Sequence, residues 1–386
     1  MSVRTTAFFG GPIFDGCELL NGHCAVFENE VCSAVVPEGD MPMHLIEGVK
    51  RENLQGSILS LGYADLQVNG GGGVMFNDNP SVEILRIIAG AHHLLGTRLF
   101  LPTLITATKE KTNSAIDAVI KAIELGVPEI AGLHLEGPHL SVEKKGAHSE
   151  KLIRPMDGDD LDALLSAVKQ LPLLKITIAP ENVSLEQVQA LVSEGVVLSL
   201  GHTNASYKTC MAYQSAGVQY VTHLFNAMSQ FGSREPGLVG ASLTNDEFMM
   251  GLIADGVHVS PETIKLALKA MGGLHRVYLV SDAMAVAGTT LQRFSLDERV
   301  IVRSDSRLTL KDGTLAGADL ELTRAIQFLV NTVGVELVDV LKSSVTTPRK
   351  VLMENDQKFL LVGSSLSDFI TIEPSLDRVQ AVGVEQ

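Results

Sequence analysis

Four short apolar runs decide the fold of this chain: IAGLHLEGP (130–138), VVLSLGH (196–202), VQYVTHLFNAM (218–228) and RVYLVSDAM (276–284). Each run reads as a β-strand that stops where an ionisable residue begins, and these residues are Glu136, His202, His223 and Asp282. In a parallel α/β barrel, the residues that perform chemistry lie at the carboxyl ends of the strands. The pattern therefore predicts that the four side chains meet at the mouth of one barrel.

Strand-like runs alternate with amphipathic helical stretches through the middle of the chain. The predicted strands are 58–68, 98–104, 129–136, 174–180, 196–202, 218–224, 248–255 and 276–282. Several of the helical stretches stop at a glycine, as helix C-termini often do. Eight such β-α units predict an α/β fold, a (β/α)₈ TIM-type barrel, rather than an open sheet.

Both ends of the chain have a residue pattern that differs from the strand–helix alternation of the middle. Residues 1–57 contain short strand-like pieces separated by turn residues, and the tail from about residue 352 is again strand-like. We therefore predict a small β-sandwich domain formed by both termini, from residues 1–57 and 345–386. The metal-dependent barrel, residues 58–344, is predicted to be inserted between them.

Composition excludes several classes of protein. The net charge of −15 over 386 residues makes nucleic acid and anionic membranes poor partners, so an anionic substrate would need local Arg and His residues. No apolar run approaches the roughly 20 residues that span a bilayer, and the N-terminal segment lacks the layout of a signal peptide. The four cysteines form no C-x-x-C pair. We expect a cytoplasmic protein with free thiols.

The strand-end residues suit a catalytic metal centre. Glu136, His202 and His223 come from three strands and would leave one position open for water, as catalytic zinc sites do. Asp282 would then be free to act as a base. Each residue also has a plainer interpretation: Glu136 could be a salt-bridged carboxylate, Asp282 a helix cap, and each His a satisfied core residue.

The first predicted strand argues for a single metal ion. Many metal hydrolases on this barrel carry His-x-His there to hold a second metal, whereas this chain has Gln67 and Asn69. Neutral amides are poor ligands for Zn²⁺, so we predict one divalent metal per subunit, Zn²⁺ or alternatively Fe²⁺. His134 lies on the same side of its strand as Glu136 but one layer deeper, which places it behind the metal.

Eight motifs occur in the order seen in one enzyme family. They are LQVNGGGG, HLEGPHL, KKGAHS, GHTNASY, THLFNAM, ADGVHVS, LVSDAM and LAGAD. Between about residues 60 and 320, the chain resembles the N-acetylglucosamine-6-phosphate deacetylases of the amidohydrolase superfamily. The resemblance implies metal-dependent hydrolysis of the acetamide of N-acetylglucosamine 6-phosphate. It also implies a homodimer, because the sugar-phosphate site of relatives can borrow residues from a neighbouring subunit.

The resemblance also assigns residues to roles. It implies Glu136, His202 and His223 as metal ligands, Asp282 as the proton-transfer residue, and His148 as the group that polarises the acetamide carbonyl. The implied substrate-binding residues are Ala147, His148, Asn226, Ala227, Arg234, His258, Leu315, Ala316 and Gly317. Among them, Arg234 and His258 would bind the 6-phosphate, although they could also be a surface ion pair and a solvated loop residue.

Two other functions remain open from the sequence alone. One is an amidohydrolase that acts on a different N-acyl amino-sugar phosphate or on a cyclic amide. The other is a non-catalytic barrel that serves as a scaffold, which the retained ligand set argues against. The chain also departs from the family pattern at residues 61–65 and in its C-terminal segment, which leaves the register of the small domain undetermined.

Overall fold

A computed structural model describes residues 4–40, 49–297, 299–352 and 361–382. The strands are β1 (Thr5–Phe9), β2 (Ile13–Phe14), β3 (Leu19–Leu20), β4 (His23–Glu28), β5 (Val31–Pro37), β6 (Lys50–Asn53), β7 (Ile58–Leu61), β8 (Tyr63–Val68), β9 (Gly70–Gly71), β10 (Val74–Met75), β11 (Thr97–Ile105), β12 (Leu133–Glu136), β13 (Leu174–Ile178), β14 (Val197–Leu200), β15 (Tyr220–Val221), β16 (Met249–Leu252), β17 (Val277–Leu279), β18 (Arg293–Leu296), β19 (Arg299–Ser304), β20 (Arg307–Thr309), β21 (Phe369–Ile372) and β22 (Val379–Ala381). The α-helices are α1 (Val82–Leu94), α2 (Lys109–Glu124), α3 (Gly158–Ala167), α4 (Leu185–Ser193), α5 (Tyr207–Ser215), α6 (Gly237–Thr244), α7 (Pro261–Met271), α8 (Leu322–Phe328), α9 (Leu337–Leu341) and α10 (Thr347–Leu352). None of the helices in these ranges is long and apolar enough to cross a membrane.

The eight-stranded parallel sheet confirms the predicted barrel. Strands β8 and β11–β17 pair in chain order. The sheet closes on itself beyond β17, because a parallel bridge joins Val68 to Ala283 and the amide of Asp282 donates to the carbonyl of Gln67 over 3.1 Å. Strands β8 and β13 are buried along their whole length, as strands covered on both faces must be.

The helices between the strands begin where the sequence supplies a cap. Helices α1, α4, α5 and α7 each follow a serine whose side chain accepts a hydrogen bond from a backbone amide of the first turn. Such a cap satisfies one of the amides that a helix start leaves without a partner. Helix α7 ends at Gly272, which has a left-handed backbone with φ of +73°.

Strands from both ends of the chain form sheets outside the barrel. One sheet has the order β5-β4-β1-β6, and a second, with the order β22-β21-β7-β2-β3, joins N-terminal and C-terminal strands. This confirms the predicted contribution of both termini. The domain limits 1–57, 58–344 and 345–386 stay a prediction, and residues 1–3, 41–48, 353–360 and 383–386 lie outside the described residues.

The predicted strand over 58–68 is two strands in the structure. Strand β7 pairs antiparallel with β21, whereas β8 is the first barrel strand. Gly62 separates them and donates its amide to the Asp368 carbonyl over 2.8 Å. A Cβ atom on Gly62 would lie 2.2 Å from the Arg98 side chain and 2.8 Å from the Gly96 carbonyl. Only glycine allows the chain to pass between the two sheets this closely.

A three-stranded antiparallel sheet lies beside the barrel mouth. No pattern in the sequence had indicated it. We call strands β18–β20 the mouth sheet. Its inner residues Leu296, Ile301 and Leu308 are fully buried and pack in one apolar cluster with Met284 and Ile105. The mouth sheet therefore packs on residues at the end of one barrel strand (Ile105) and shortly after another (Met284).

Candidate active site

The four strand-end residues predicted from the sequence meet at the barrel mouth. Glu136 is the last residue of β12, and the other three follow their strands by two or three positions. His202, His223 and Asp282 have left-handed backbones, with φ of +47°, +31° and +49°. This region is unfavourable for a residue with a Cβ atom, and such strain is often found at functional sites. At each position the chain leaves its strand abruptly.

A cavity of about 370 Å³ opens at this mouth. Its lining residues are Asn69, Ile105, Glu136, Glu143, Lys144, Gly146, Ala147, His148, His202, His223, Asn226, Ala227, Ile253, His258, Asp282, Met284, Leu296, Thr314, Leu315 and Gly317. The cavity thus combines a buried set of acids and imidazoles with an apolar wall, as small-molecule sites commonly do.

Three side chains face one another at the separations that a metal ion requires. Nε2 of His223 lies 3.0 Å from Oε1 of Glu136, Nε2 of His202 lies 3.3 Å from the same oxygen, and the two Nε2 atoms are 3.2 Å apart. Ligands about 2.0–2.1 Å from a tetrahedral ion lie about 3.3 Å from one another. The three atoms therefore fit around one divalent cation.

The hydrogen bonding of His202 supports this interpretation. Its Nδ1 donates to the carbonyl of Lys144 over 2.8 Å, so the lone pair of Nε2 points to the cavity. The described residues also contain an overlapping set, Glu136, His148 and His202, whose ligand atoms all lie within 4.8 Å of one another. In that set, Nε2 of His148 is 3.8 Å from Oε2 of Glu136. The shorter distances favour His223 over His148 as the third ligand.

Glu136 and His223 are both buried and lie within hydrogen-bond distance of each other. Burial raises the pKa of the Glu136 carboxyl, but the hydrogen bonds and charges of His202 and His223 outweigh it and hold that pKa well below its usual range. Burial lowers the pKa of His223, but the neighbouring Glu136 carboxylate more than offsets this and raises it. An anionic Glu136 facing two imidazoles is the charge state that attracts a cation.

Asp282 lies beside the metal-type set and is held by two amides. Its Oδ1 accepts from Nδ2 of Asn69 over 2.7 Å and from Nε2 of Gln67 over 3.1 Å, and Gln67 also donates to Glu136 over 3.1 Å. No helix follows Asp282, so it is not a helix cap. Burial, followed by repulsion from Glu136, raises the pKa of Asp282, which suits a group that must accept and return a proton.

His148 lies beside Glu136 and His202 in the cavity, with its ring centroid 4.4 Å from that of His202. It is buried, and its Nδ1 lies 2.8 Å from the hydroxyl of Thr106. Burial and then the neighbouring His202 lower the pKa of His148 to about 3, so the ring is neutral at physiological pH. Its neighbour Ala147 accepts a hydrogen bond from Nη2 of Arg299, on the mouth sheet, over 2.7 Å.

A polar layer lies beneath the cavity inside the barrel. His134 contacts the hydroxyls of Thr103 and Thr177 and has no hydrogen bond to Glu136, as expected for a deeper layer. Burial lowers the pKa of Lys175 to about 8 and raises that of Asp65 to about 7. These groups sit in the barrel interior behind the carboxylates of the mouth.

The structure places most of the other predicted residues at the cavity. The lining includes Asn226, Ala227, Leu315 and Gly317. His258 also lines it, and its Nδ1 lies 2.7 Å from Oδ2 of Asp255, so its side chain is not a solvated loop group.

Two predicted substrate-binding residues do not line the cavity. Ala316 is fully buried in the cluster behind the mouth sheet. Arg234 is exposed in the loop before α6, and among the described residues it makes no ion pair or hydrogen bond. Its predicted contact with phosphate stays a prediction.

Three contacts that shape the site were missed from the sequence. They are the Thr106 hydroxyl on His148, the Lys144 carbonyl on His202, and the Arg299 side chain on Ala147. The KKGAHS motif marks the position of Lys144 but not the use of its backbone. The sequence contains no signal for Arg299, which is 152 positions away from Ala147.

The chain is similar to proteins of known activity over most of its length. It is 39% identical over 299 residues, or 78% of this chain and 75% of the relative, to the N-acetylgalactosamine-6-phosphate deacetylase of Shewanella sp. (strain ANA-3). It is 32% identical over 373 residues, 96% of each chain, to the N-acetylglucosamine-6-phosphate deacetylase of Haemophilus influenzae. The crystal structure of the Pasteurella multocida N-acetylglucosamine-6-phosphate deacetylase superposes with a TM-score of 0.90, at 33% identity and over 98% of each chain. No protein-family model matches the chain.

A closed parallel barrel with a buried Glu/His/His set at its mouth is the architecture of a barrel enzyme with a site for a divalent metal. The two relatives identify the family within this class of enzymes, because each matches most of the chain at more than 30% identity. The chain belongs to the N-acetylglucosamine-6-phosphate deacetylase family of the amidohydrolase superfamily, as its motifs predicted. It is an amino-sugar-phosphate deacetylase, and its close relatives include deacetylases of both the glucosamine and the galactosamine sugar.

Proposed function

We propose that the protein hydrolyses the acetamide of N-acetylglucosamine 6-phosphate, giving glucosamine 6-phosphate and acetate. The observation that carries this proposal is the convergence of Glu136, His202, His223, Asp282 and His148 on one cavity. The near full-length match to a deacetylase of this substrate supports the choice of sugar. The assignment to amino-sugar catabolism, with a cytoplasmic location, stays a prediction.

Glu136, His202 and His223 would hold the divalent cation, for which zinc is the first expectation. When bound, this ion would supply Lewis-acid polarisation of the acetamide carbonyl and acidification of a water molecule. The ligand set offers three protein groups, so a coordination position would remain for that chemistry. The neutral amides of Gln67 and Asn69, which donate to carboxylates, support a single ion.

Side chains of the protein would transfer the proton and stabilise the charge that develops on the substrate. Asp282 accepts a proton from the water that attacks the carbonyl carbon, and later donates it to the sugar nitrogen as the C–N bond breaks. Nδ1 of His148 lies 2.8 Å from the Thr106 hydroxyl, and in the tautomer that carries its proton on Nε2 the ring would donate to the carbonyl oxygen as it gains charge. The products are the free amine of the sugar and acetate.

The remaining cavity residues would bind the sugar phosphate. His258 is the proposed phosphate contact, and Asn226 with Ala227 would lie near the same end. Leu315 and Gly317 would close over the sugar, with Ala316 supporting them from behind. Because Arg234 is exposed and lies outside its own cavity, we propose that it reaches the cavity of a second copy in a homodimer. An arginine can bind a phosphate bidentately, which would offset the acidic character of the chain.

The choice of substrate can be tested by acetate release from three sugars. We expect the highest kcat/KM for N-acetylglucosamine 6-phosphate, and a kcat/KM lower by about 10²-fold for unphosphorylated N-acetylglucosamine, because a charged hydrogen-bonded contact is lost. The second candidate substrate is N-acetylgalactosamine 6-phosphate, which the 39% identical relative favours. A higher kcat/KM for the galactosamine sugar would overturn the first assignment. Absence of any acetate release, together with absence of metal, would support a scaffold.

Replacing Arg234 with alanine tests the phosphate contact. We expect the KM for the phosphorylated sugar to rise by about 10-fold to 100-fold, because a charge-assisted hydrogen bond contributes about 1.5–3 kcal/mol. Hydrolysis of the unphosphorylated sugar should be unaffected. Arg86→Ala, at an exposed position of α1, is the matched control and should leave both reactions unchanged. An unchanged KM for the phosphorylated sugar in Arg234→Ala would remove Arg234 from the site.

A further inference from the structure

One wall of the cavity is a loop that is held in place from three directions. We call residues 142–148 the His148 loop. Nδ1 of His202 donates to the Lys144 carbonyl over 2.8 Å, and Nδ1 of His148 lies 2.8 Å from the Thr106 hydroxyl. The third contact is the 2.7 Å hydrogen bond from Nη2 of Arg299 to the Ala147 carbonyl. The first two contacts come from the site and its strands, whereas the third comes from the mouth sheet.

The internal structure of the His148 loop is limited to one 3-10 turn, Val142–Lys144, and short-range backbone hydrogen bonds such as that from the His148 amide to the Lys145 carbonyl over 2.9 Å. Gly146 has a φ of +54°, and no large apolar side chain of the loop is buried, since Val142 is 43% exposed. The ion pair between Lys145 and Glu150 joins two largely exposed side chains and contributes little. Besides the bond from Nδ2 of Asn204 to the exposed Glu143 over 2.7 Å, the three hydrogen bonds described above are what fix the loop from outside.

The mouth sheet, which carries Arg299, is in contrast fixed by apolar packing and hydrogen bonds. Its inner face is buried in an apolar cluster that includes Leu296, a residue of the cavity wall. Arg303 ties the same strand, β19, to the chain after it through Oδ2 of Asp319 over 2.8 Å, and to the Thr289 carbonyl over 2.9 Å. Arg299 thus joins an anchored sheet to a weakly anchored loop.

We propose that Arg299 is a positioning residue for deacetylation, which acts through the Ala147 carbonyl to hold the His148 loop in the conformation that completes the cavity. This inference rests on the role proposed above for His148. Without the Arg299 contact, the loop would spend part of its time away from the site. The apparent affinity for substrate falls in proportion to the fraction of molecules with a competent loop, while a saturating substrate restores the loop. Arg299 should therefore affect KM more than kcat.

The test compares three variants of Arg299 with a matched control. We expect Arg299→Ala and Arg299→Met to raise KM by about 10-fold, with kcat within about twofold of the parent, because a hydrogen bond from a charged group is lost. Arg299→Lys should recover part of the loss, since its ammonium group can still donate to a carbonyl. Arg293→Ala, at an exposed arginine of the same sheet, should leave KM unchanged. An unchanged KM in Arg299→Ala, or an equal rise in Arg293→Ala, would overturn the proposal.

A second measurement does not depend on catalysis. The His148 loop contains Lys144 and Lys145, so trypsin reports how often the loop leaves the cavity wall. We expect cleavage after these lysines to be several-fold faster in Arg299→Ala than in the parent or in Arg293→Ala, with equal Tm and metal content in all three. Equal cleavage rates would overturn the positioning role. Faster cleavage in a protein that releases no acetate would instead place the fault in the proposed function.

Discussion

Asp282→Asn is expected to lower kcat for acetate release by about 10³-fold, the scale of a lost general acid–base group. Asparagine has the same shape and can still present an oxygen to the amides of Gln67 and Asn69, which now bind Oδ1 of Asp282. It cannot accept a proton from water or return one to the leaving nitrogen. The substitution should therefore lower kcat without disturbing the arrangement of the other residues in the site.

Two further properties of Asp282→Asn separate a lost base from a damaged site. The variant should retain its metal, measured by elemental analysis, and should bind the sugar phosphate with a Kd close to the KM of the parent. Its Tm should not fall, because the substitution removes a buried carboxylate whose pKa burial and Glu136 already raise. Asp117→Asn, at an exposed position of α2, is the control for a simple change in charge. Turnover within tenfold of the parent would exclude Asp282 as the proton-transfer group.

Glu136→Gln is expected to remove the metal and, with it, essentially all activity. Glu136 is 2% exposed, and its Oε1 lies 3.0 Å and 3.3 Å from Nε2 of His223 and His202, so it supplies the carboxylate oxygen of the proposed ligand set. A neutral amide is a poor ligand, and we expect metal affinity to fall by more than about 100-fold, exceeding the usual effect of residues that only orient ligands. Metal per chain after dialysis is the direct measurement.

Thermal unfolding gives an independent readout of the same change. A cation that binds only the folded state raises the Tm of the parent in proportion to its occupancy, and Glu136→Gln should show no such rise. Glu143→Gln is the matched control, because Glu143 lines the same cavity but is exposed and bonded to Asn204 over 2.7 Å. It should retain metal at the level of the parent. A full equivalent of metal in Glu136→Gln would contradict the proposed ligand set and favour the set that includes His148.

The residues at the strand ends could be predicted because one physical rule governs them. Buried parallel strands are continuous apolar runs, and the ionisable residue after each run must lie at the carboxyl end of the barrel. Glu136, His202, His223 and Asp282 follow from that rule without knowledge of their distances. Their convergence to within 3.3 Å for the three metal-type groups is a finding of the structure.

The contacts that complete the cavity could not be predicted in this way. Arg299 and Thr106 act on the His148 loop from distant parts of the sequence, and their residue types are ordinary for a strand and a strand end. The division of residues 58–68 at Gly62 was missed for a related reason. An apolar run indicates burial, but it does not indicate which of two sheets buries it.

Arg234 shows a different limit of prediction. The phosphate-binding role of Arg234 was predicted from the resemblance to a family in which neighbouring subunits can share a site. In the fold of one chain, Arg234 is exposed and does not line the cavity. The role that we propose for Arg234 in a neighbouring subunit would leave no signature in the packing of its own subunit. The kinetics of Arg234→Ala on phosphorylated and unphosphorylated sugars therefore test the assembly as well as the residue.

The barrel closes where Asp282 donates its amide to the Gln67 carbonyl, and the side chains of the same two residues meet inside the cavity. These residues are 215 positions apart, so the first barrel strand cannot make this contact until the segment around Asp282 has been synthesised. A chain that lacks the segment around Asp282 would have neither the closing bridge nor the residue that we propose for proton transfer. Closure of the barrel and completion of the proposed active site thus depend on the same late segment of the chain.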